Sequence, residues 1–287
     1  MHPSDLPPEL TDRKFELAVR RLADDLRYGH DASPYVGSGV DYVQSRPFVE
    51  GDPVKDIDWR VTARTRRWHV KEYESLKSVP VYIVLDTSAS MSVSSRPVSK
   101  YLVAALLAGG IGLAAQRRLS PVGLLGAGGR SLHFRPSLAQ DRIFQWLLAL
   151  AERRFDEPTT LGRRLDELAG LLKSRCLVVV LSDLHDPDAT DAIKRLAQRH
   201  DMVVLQLEDP AERGRLRGGF VQAVEAETGR EFAAHGRSRW LGDGKDAPDQ
   251  SLRRAGIDYL RIATDRPFLT PLRRLLTERG GLFRAAR

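Results

Sequence analysis

The chain has 287 residues, of which 42% are hydrophobic and 29% charged, and a formal net charge of +7. That much apolar material can bury a core without cross-links, and a lone cysteine, Cys176, excludes an intrachain disulfide framework and a Cys-x-x-Cys zinc site. Nor is the positive balance a phosphate-binding patch: residues 1–78 hold 13 Lys and Arg against 14 Asp and Glu, and the excess lies mainly in residues 210–287, 16 against 10, interspersed with acids.

Taken in chain order, the repeat Phe15, Val19, Leu22 and Leu26 predicts a helix over Thr11–Tyr28 that docks on a core. The charges of this stretch speak against a secretory signal, so a cytoplasmic location is expected. Glycines, serines and aspartates from Gly29 to Gln44 read as a loop, after which Phe48-Val49 and the turn Gly51-Asp52-Pro53 open a further block. Trp68, Val70, Glu72 and Tyr73 predict a strand, set close enough to the run beginning at Val79 to pair with it as a hairpin. That run, Val79–Leu85, suits a buried parallel strand.

Pro97 fits the first turn of a helix over about Val98–Arg118. Its most apolar window, Tyr101–Ala115, is shorter than the roughly twenty residues a membrane span needs, so the helix is read as buried and no membrane span is expected. Pro121–Leu125 and Ser131–Phe134 flank Gly126-Ala127-Gly128-Gly129, a hairpin turn that lacks the Lys-Ser or Lys-Thr of a nucleotide loop. Helices at Asp141–Glu152 and Gly162–Leu172, a strand at Leu177–Leu181, a helix at Ala189–Arg199, a strand at Met202–Leu207, a hairpin centred on Thr228-Gly229, a strand at Tyr259–Ile262 and a helix at Phe268–Arg279 follow. This alternation predicts an α/β fold, a mostly parallel doubly wound sheet with one antiparallel edge strand and an N-terminal extension. Residues 1–78 are assigned to the N-terminal helix and block, and 79–287 to the sheet domain with a C-terminal elaboration.

Asp86, Ser88 and Ser90 follow the Val79–Leu85 strand directly, at the carboxyl edge where open α/β sheets bind ligands. Such oxygen donors suit Mg²⁺, or Mn²⁺. Asp and Ser after a strand are also ordinary turn and cap residues. Two further positions join them, Thr159 ahead of the pattern Leu161, Leu165, Leu168 and Leu172, and Asp183 after Leu177–Leu181. Thr159 alone would serve as a helix N-cap, and Asp183 as the opening of a turn. Among the histidines, which show no metal-ligand spacing, His185 is the one expected near this site.

The order Asp86-x-Ser88-x-Ser90, then Thr159, then Asp183 resembles the metal-ion-dependent adhesion site of von Willebrand factor A-type domains. Upstream, Arg46-Pro47-Phe48-Val49-Glu50-Gly51-Asp52-Pro53-Val54-Lys55-Asp56-Ile57-Asp58-Trp59-Arg60 and Ala63-Arg64 are similar to a bacterial family called domain of unknown function 58. Glu225–Gly229 and Gly256–Leu260 are similar to its tail. Members of that family pair this block with a von Willebrand A-like domain and are often linked with MoxR-type AAA+ ATPases. The resemblance implies a non-enzymatic, Mg²⁺-dependent protein-interaction module, its ion held by Asp86, Ser88, Ser90, Thr159 and Asp183. Its partner, a MoxR-like AAA+ ATPase or a client protein, would supply an acidic side chain, in the assembly or maturation of other proteins. Relatives carry Gly-Gly-Thr where this chain has Glu157-Pro158-Thr159-Thr160, which leaves Thr160 as an alternative ligand.

Two other readings stand beside this one. A Mg²⁺-dependent phosphatase or phosphotransferase would use Asp86 as nucleophile, although Ser88 replaces the second acid of an Asp-x-Asp pattern. Nucleic-acid binding would use Arg60, Arg64, Arg66, Arg67 and Lys71 with Trp59 and Trp68, but neighbouring acids offset these charges and no nucleic-acid partner is expected.

Overall fold

The structure, a computed structural model, describes residues 10–26, 40–75, 79–152, 156–213, 220–224, 231–235 and 248–279. The chain divides into two compact units, Met1–His30 with Val79–Arg287, and Asp31–Ser78. Helix α1 (Arg13–Asp25) opens the larger unit; Asp12 caps it by accepting the Lys14 N–H at 2.8 Å, and Phe15, Val19, Leu22 and Ala23 are buried.

The smaller unit is a two-stranded antiparallel sheet, β1 (Val40–Pro47) against β2 (His69–Ser75), with α2 (Trp59–Thr65) between them in sequence. Asp58 Oδ1 accepts the N–H groups of Arg60 and Val61 at 3.1 Å, and Arg66 ends the helix in the left-handed region. The expected hairpin between β2 and the Val79 run does not form. That run is flanked by parallel neighbours on both sides, so no edge is open to β2, which pairs instead with β1. Val40–Gln44, read as loop, are thus the first half of a strand; the rest of that loop, 29–39, lies outside the described residues.

In the larger unit the chain runs through β3 (Val81–Leu85), the short α3 (Ala89–Ser92), α4 (Lys100–Gln116), β4 (Val122–Gly126), β5 (His133–Ser137), α5 (Asp141–Ala151), α6 (Leu161–Leu171), β6 (Leu177–Ser182), α7 (Ala189–Ala197) and β7 (Asp201–Glu208). Then come β8 (Phe220–Val224) paired antiparallel with β9 (Glu231–His235), α8 (Pro248–Arg254), β10 (Asp258–Ala263) and α9 (Leu269–Glu278). The turn expected at Thr228-Gly229 lies outside the described residues. Six strands form one sheet in the order β10-β7-β6-β3-β4-β5, all parallel except β5, which pairs antiparallel with β4. This is the mostly parallel doubly wound sheet with an antiparallel edge strand that the sequence pattern predicts.

Alternation along the strands builds a core on each face. Val81, Ile83 and Leu85 face α1, α4, α5 and α9, whereas Tyr82 and Val84 face α6, α7 and α8. Because α4 is covered on all sides, its whole length is buried, which explains why it is apolar around its full circumference. Gly109 and Gly110 let α1 settle directly on α4: a Cβ would come within 2.8 Å of Val19 at the first and 2.5 Å of Leu22 at the second. Among the described residues no helix is long and apolar enough to cross a membrane.

After β3 the chain moves one way to β4 and β5, then returns past β3 to β6, β7 and β10. The carboxyl ends of β3 and β6 therefore border the point where the winding reverses, the place where open α/β sheets form a crevice.

Candidate functional site

Asp86 and Asp183 leave adjacent strands at that point. Parallel pairing in the register Leu85↔Leu181 sets Asp86 just beyond β3 and Asp183 just beyond β6. Both are buried, Asp86 completely. Asp86 Oδ1 accepts the Ser88 N–H at 3.0 Å and Oδ2 accepts the Ser182 hydroxyl at 2.6 Å. Ser182 Oγ also accepts the Leu184 N–H at 2.8 Å, and Leu184 holds a left-handed φ of 59°, costly for a bulky side chain. Local strain thus sits next to Asp183.

Ser88 and Ser90 hydroxyls lie 3.0 Å apart on the short turn that opens α3. The third segment docks against this turn. Glu157 accepts the Ala89 N–H on its carbonyl at 2.8 Å and the Thr87 hydroxyl on its carboxylate at 2.9 Å, while Thr160 Oγ1 donates to the Gly128 carbonyl at 3.1 Å. Thr159 sits between these two anchors. Glu157 is itself buried and ion-paired with Arg130, whose guanidinium also donates to the carbonyls of Ala149 and Glu152. Gly128 is required here, because a Cβ would collide with Thr87 Oγ1 and the Glu157 carboxylate.

Sequence reasoning did not foresee Lys100. Its side chain is 1% exposed, and its ammonium donates to Asp183 Oδ2 at 2.7 Å and to the Glu212 carboxylate. His185 Nδ1 stands 3.1 Å from the same Asp183 oxygen, and the His185 N–H reaches Oδ1 at 3.3 Å. One signal was present in the chain: Lys100 is a cation at the head of an otherwise apolar helix, where the helix dipole disfavours it. Glu212 gives none, since it lies 112 residues away.

The two carboxyls are driven apart electrostatically. Burial, then the negative charge of Asp183, pushes Asp86 up from 3.8 to about 6 against the pull of the Ser182 and Ser88 hydrogen bonds. Burial also acts to raise Asp183, but the His185 hydrogen bond and the Lys100 charge outweigh it and hold that carboxyl well below the usual range. Burial works to neutralise Lys100, and the charges of Asp183 and Glu212 more than offset it, so the ammonium persists. The Asp183 hydrogen bond raises His185.

Two oxygen-rich groupings result, and they differ in fitness for a cation. Asp183, His185 and Glu212 offer ligand atoms within 4.8 Å of one another, but the Lys100 ammonium already stands on two of them. On the Asp86 side the groups acting on the carboxylate are neutral donors and the negative Asp183, with no cation among them. A fully buried carboxylate without a counter-charge, next to a pair of hydroxyls, is chemistry that a hard divalent ion satisfies.

A profile of the family described as "Protein of unknown function DUF58" matches residues 44–240, more than half of the chain. The chain belongs to that family. Two similar relatives are an uncharacterized protein of Mycobacterium bovis and one of Mycobacterium tuberculosis, each 24% identical over 279 residues, covering 93% of this chain and 88% of theirs. Among solved structures, the crystal structure of the SpRpn10 VWA domain is 12% identical and spans 72% of this chain and all of its own, with a TM-score of 0.40. The fold assignment rests on strand order and pairing, not on that likeness.

Proposed function

We propose that this DUF58 chain is a non-enzymatic protein-interaction module that depends on a divalent ion, Mg²⁺ with Mn²⁺ as substitute. The observation that carries the reading is the buried Asp86 carboxylate, without a cation of its own among the described residues, beside the Ser88–Ser90 hydroxyl pair at the reversal of the sheet. Asp86, Ser88, Ser90 and Thr159 would hold the ion, with Asp183 alongside. When bound, the ion supplies an electrophilic position that attracts a carboxylate from outside. The chain's own residues prepare that position: Ser182 and the Ser88 N–H fix Asp86, Glu157 fixes the turn, and Lys100 neutralises Asp183.

The partner class suggested by the family resemblance is a MoxR-type AAA+ ATPase or its client, in assembly or maturation of other proteins. A cytoplasmic setting belongs to the same proposal and is supported by the single buried cysteine. Phosphoryl transfer through Asp86 has less support, since both carboxylate oxygens are engaged and the residue has no exposed surface for in-line attack.

The test is an affinity capture on the full chain in Mg²⁺ and in EDTA, with Ser88→Ala/Ser90→Ala and Asp86→Ala in parallel. Recovery of an AAA+ ATPase in Mg²⁺, lost in EDTA and in both variants while the fold by circular dichroism is kept, is the expected result. Equal recovery in EDTA would overturn the metal dependence.

A further inference from the structure

The smaller unit turns large apolar side chains to solvent. Val49 is 62% exposed, Trp59 63% and Trp68 57%, a concentration that surfaces seldom carry without use. The rings form a chain: Phe48 and Trp68 lie 6.1 Å apart and Trp59 and Trp68 6.2 Å, tilted by 57° and 56°. The Phe48 N–H, donating to the Trp68 carbonyl at 2.9 Å, brings Val49 to the same end of the sheet.

Exposed cations neighbour these rings along the chain. Arg60 and Arg64 stand one turn apart on α2 and Arg67 follows the helix, all exposed. Among the described residues none of the three has a salt bridge. Two acids of the same block are engaged by other groups. Asp58 accepts from Ser45 Oγ at 2.6 Å and from the helix N–H groups, and Asp52 is held by Arg46 at 2.7 Å through both oxygens. Arg60, Arg64 and Arg67 thus face water without either of these two acids as a partner.

We propose that this face of the smaller unit docks an acidic polypeptide segment bearing apolar side chains. Exposed tryptophan and arginine together are the residues that carry binding energy in protein interfaces. Unpaired arginines select a segment of opposite sign. The two indoles meet at a tilt of 56°, not as parallel plates spaced to take a stacked base between them, which favours aliphatic side chains over bases. The surface belongs to the smaller unit and the proposed metal centre to the larger one.

The experiment measures fluorescence anisotropy of a labelled synthetic amphipathic peptide of glutamate and leucine added to the full chain, with a lysine-for-glutamate peptide and labelled oligo-dT as separate probes. The glutamate peptide binds, more weakly as salt rises, and its affinity falls about tenfold or more in Trp59→Ala and in Arg64→Glu/Arg67→Glu. The charge-reversed variant changes only exposed residues, so it keeps the fold should Trp59→Ala disturb it. EDTA leaves the binding unchanged, which separates this surface from the Asp86 site. No binding, undiminished binding in both variants, equal binding of the lysine peptide, tighter binding of oligo-dT, or loss in EDTA would each overturn the proposal. So would self-association that the arginine variant abolishes, which would make a second copy the occupant.

Discussion

Lys100 Nζ and Asp183 Oδ2 are 2.7 Å apart, and both side chains are 1% exposed. A buried pair of this kind is held together more by the cost of breaking it than by net gain. Lys100→Met removes the ammonium and leaves Asp183 and Glu212 facing each other. We expect a loss of about 3–5 kcal/mol in urea unfolding, as for other buried pairs that lose one partner. Mg²⁺ should recover more stability in this variant than in the wild type; an equal effect of Mg²⁺ on both would show that no cation enters there.

The metal-free protein should show an unusual acid limb. Asp86 has a folded value of about 6 against an ordinary 3.8, so between these values the folded chain keeps a proton that the unfolded chain has lost. Its contribution is complete below pH about 4 and declines by about 3 kcal/mol as pH rises through about 6. Asp183 runs the other way: its lowered value makes its contribution present above the ordinary carboxylate range and lost only as pH falls through that lowered value. In EDTA, Asp86→Asn should flatten the dependence of unfolding free energy on pH from 4 to 7. An unchanged slope would remove Asp86 as its source.

Glu157 ties the third segment to the first turn, and its carboxylate is 2% exposed. Glu157→Ala removes the carboxylate partner of Arg130, which keeps its bonds to the Ala149 and Glu152 carbonyls, and frees the Thr87 hydroxyl, with an expected cost of about 2–4 kcal/mol. Glu157→Gln retains an acceptor for Thr87 and should cost less. Chemical denaturation ranks the two variants, and Mg²⁺-dependent capture should fall in both.

Gly110→Ala tests the seat of α1. Alanine favours a helix over glycine by up to about 1 kcal/mol, yet the added Cβ would lie 2.5 Å from Leu22, and overpacking costs about 1–3 kcal/mol. A net loss is expected, relieved when Leu22→Ala is combined with it. A double-mutant cycle that gives no coupling would disprove the contact.

Cys176 is 1% exposed, and burial, with the Asp201 charge, pushes its thiol up to about 12. Iodoacetamide should leave the native chain unlabelled at pH 8 and modify it fully in denaturant. Rapid native labelling would contradict this packing.

What the sequence disclosed was whatever short range determines. The β-branched runs of β3, β6 and β7 marked buried strands, and the carboxylates that end β3 and β6 followed at once. The hydroxyl spacing Ser88-x-Ser90 is likewise local. Partners distant in the chain were invisible: Lys100 meets Asp183 over 83 residues and Glu212 over 112, so nothing near Lys100 in the sequence pointed to either. Strand β1 was hidden because glycines and polar residues ahead of it gave the composition of a loop, and its partner was misjudged because sequence proximity favoured β3. Helices α2 and α8 are 7 residues each, too short for periodicity to declare them, although Asp58 and Pro248 are recognisable start signals.

The larger unit is assembled from two stretches of chain interrupted by the whole of the smaller one, and α1 belongs to the stretch before the interruption. Trimming the protein from its front to isolate the sheet therefore strips Phe15, Val19 and Leu22 away and bares the groove that Gly109 and Gly110 leave along α4. Excision from the middle spares that seam, so the place of removal, not merely the amount removed, decides whether the remainder stays folded.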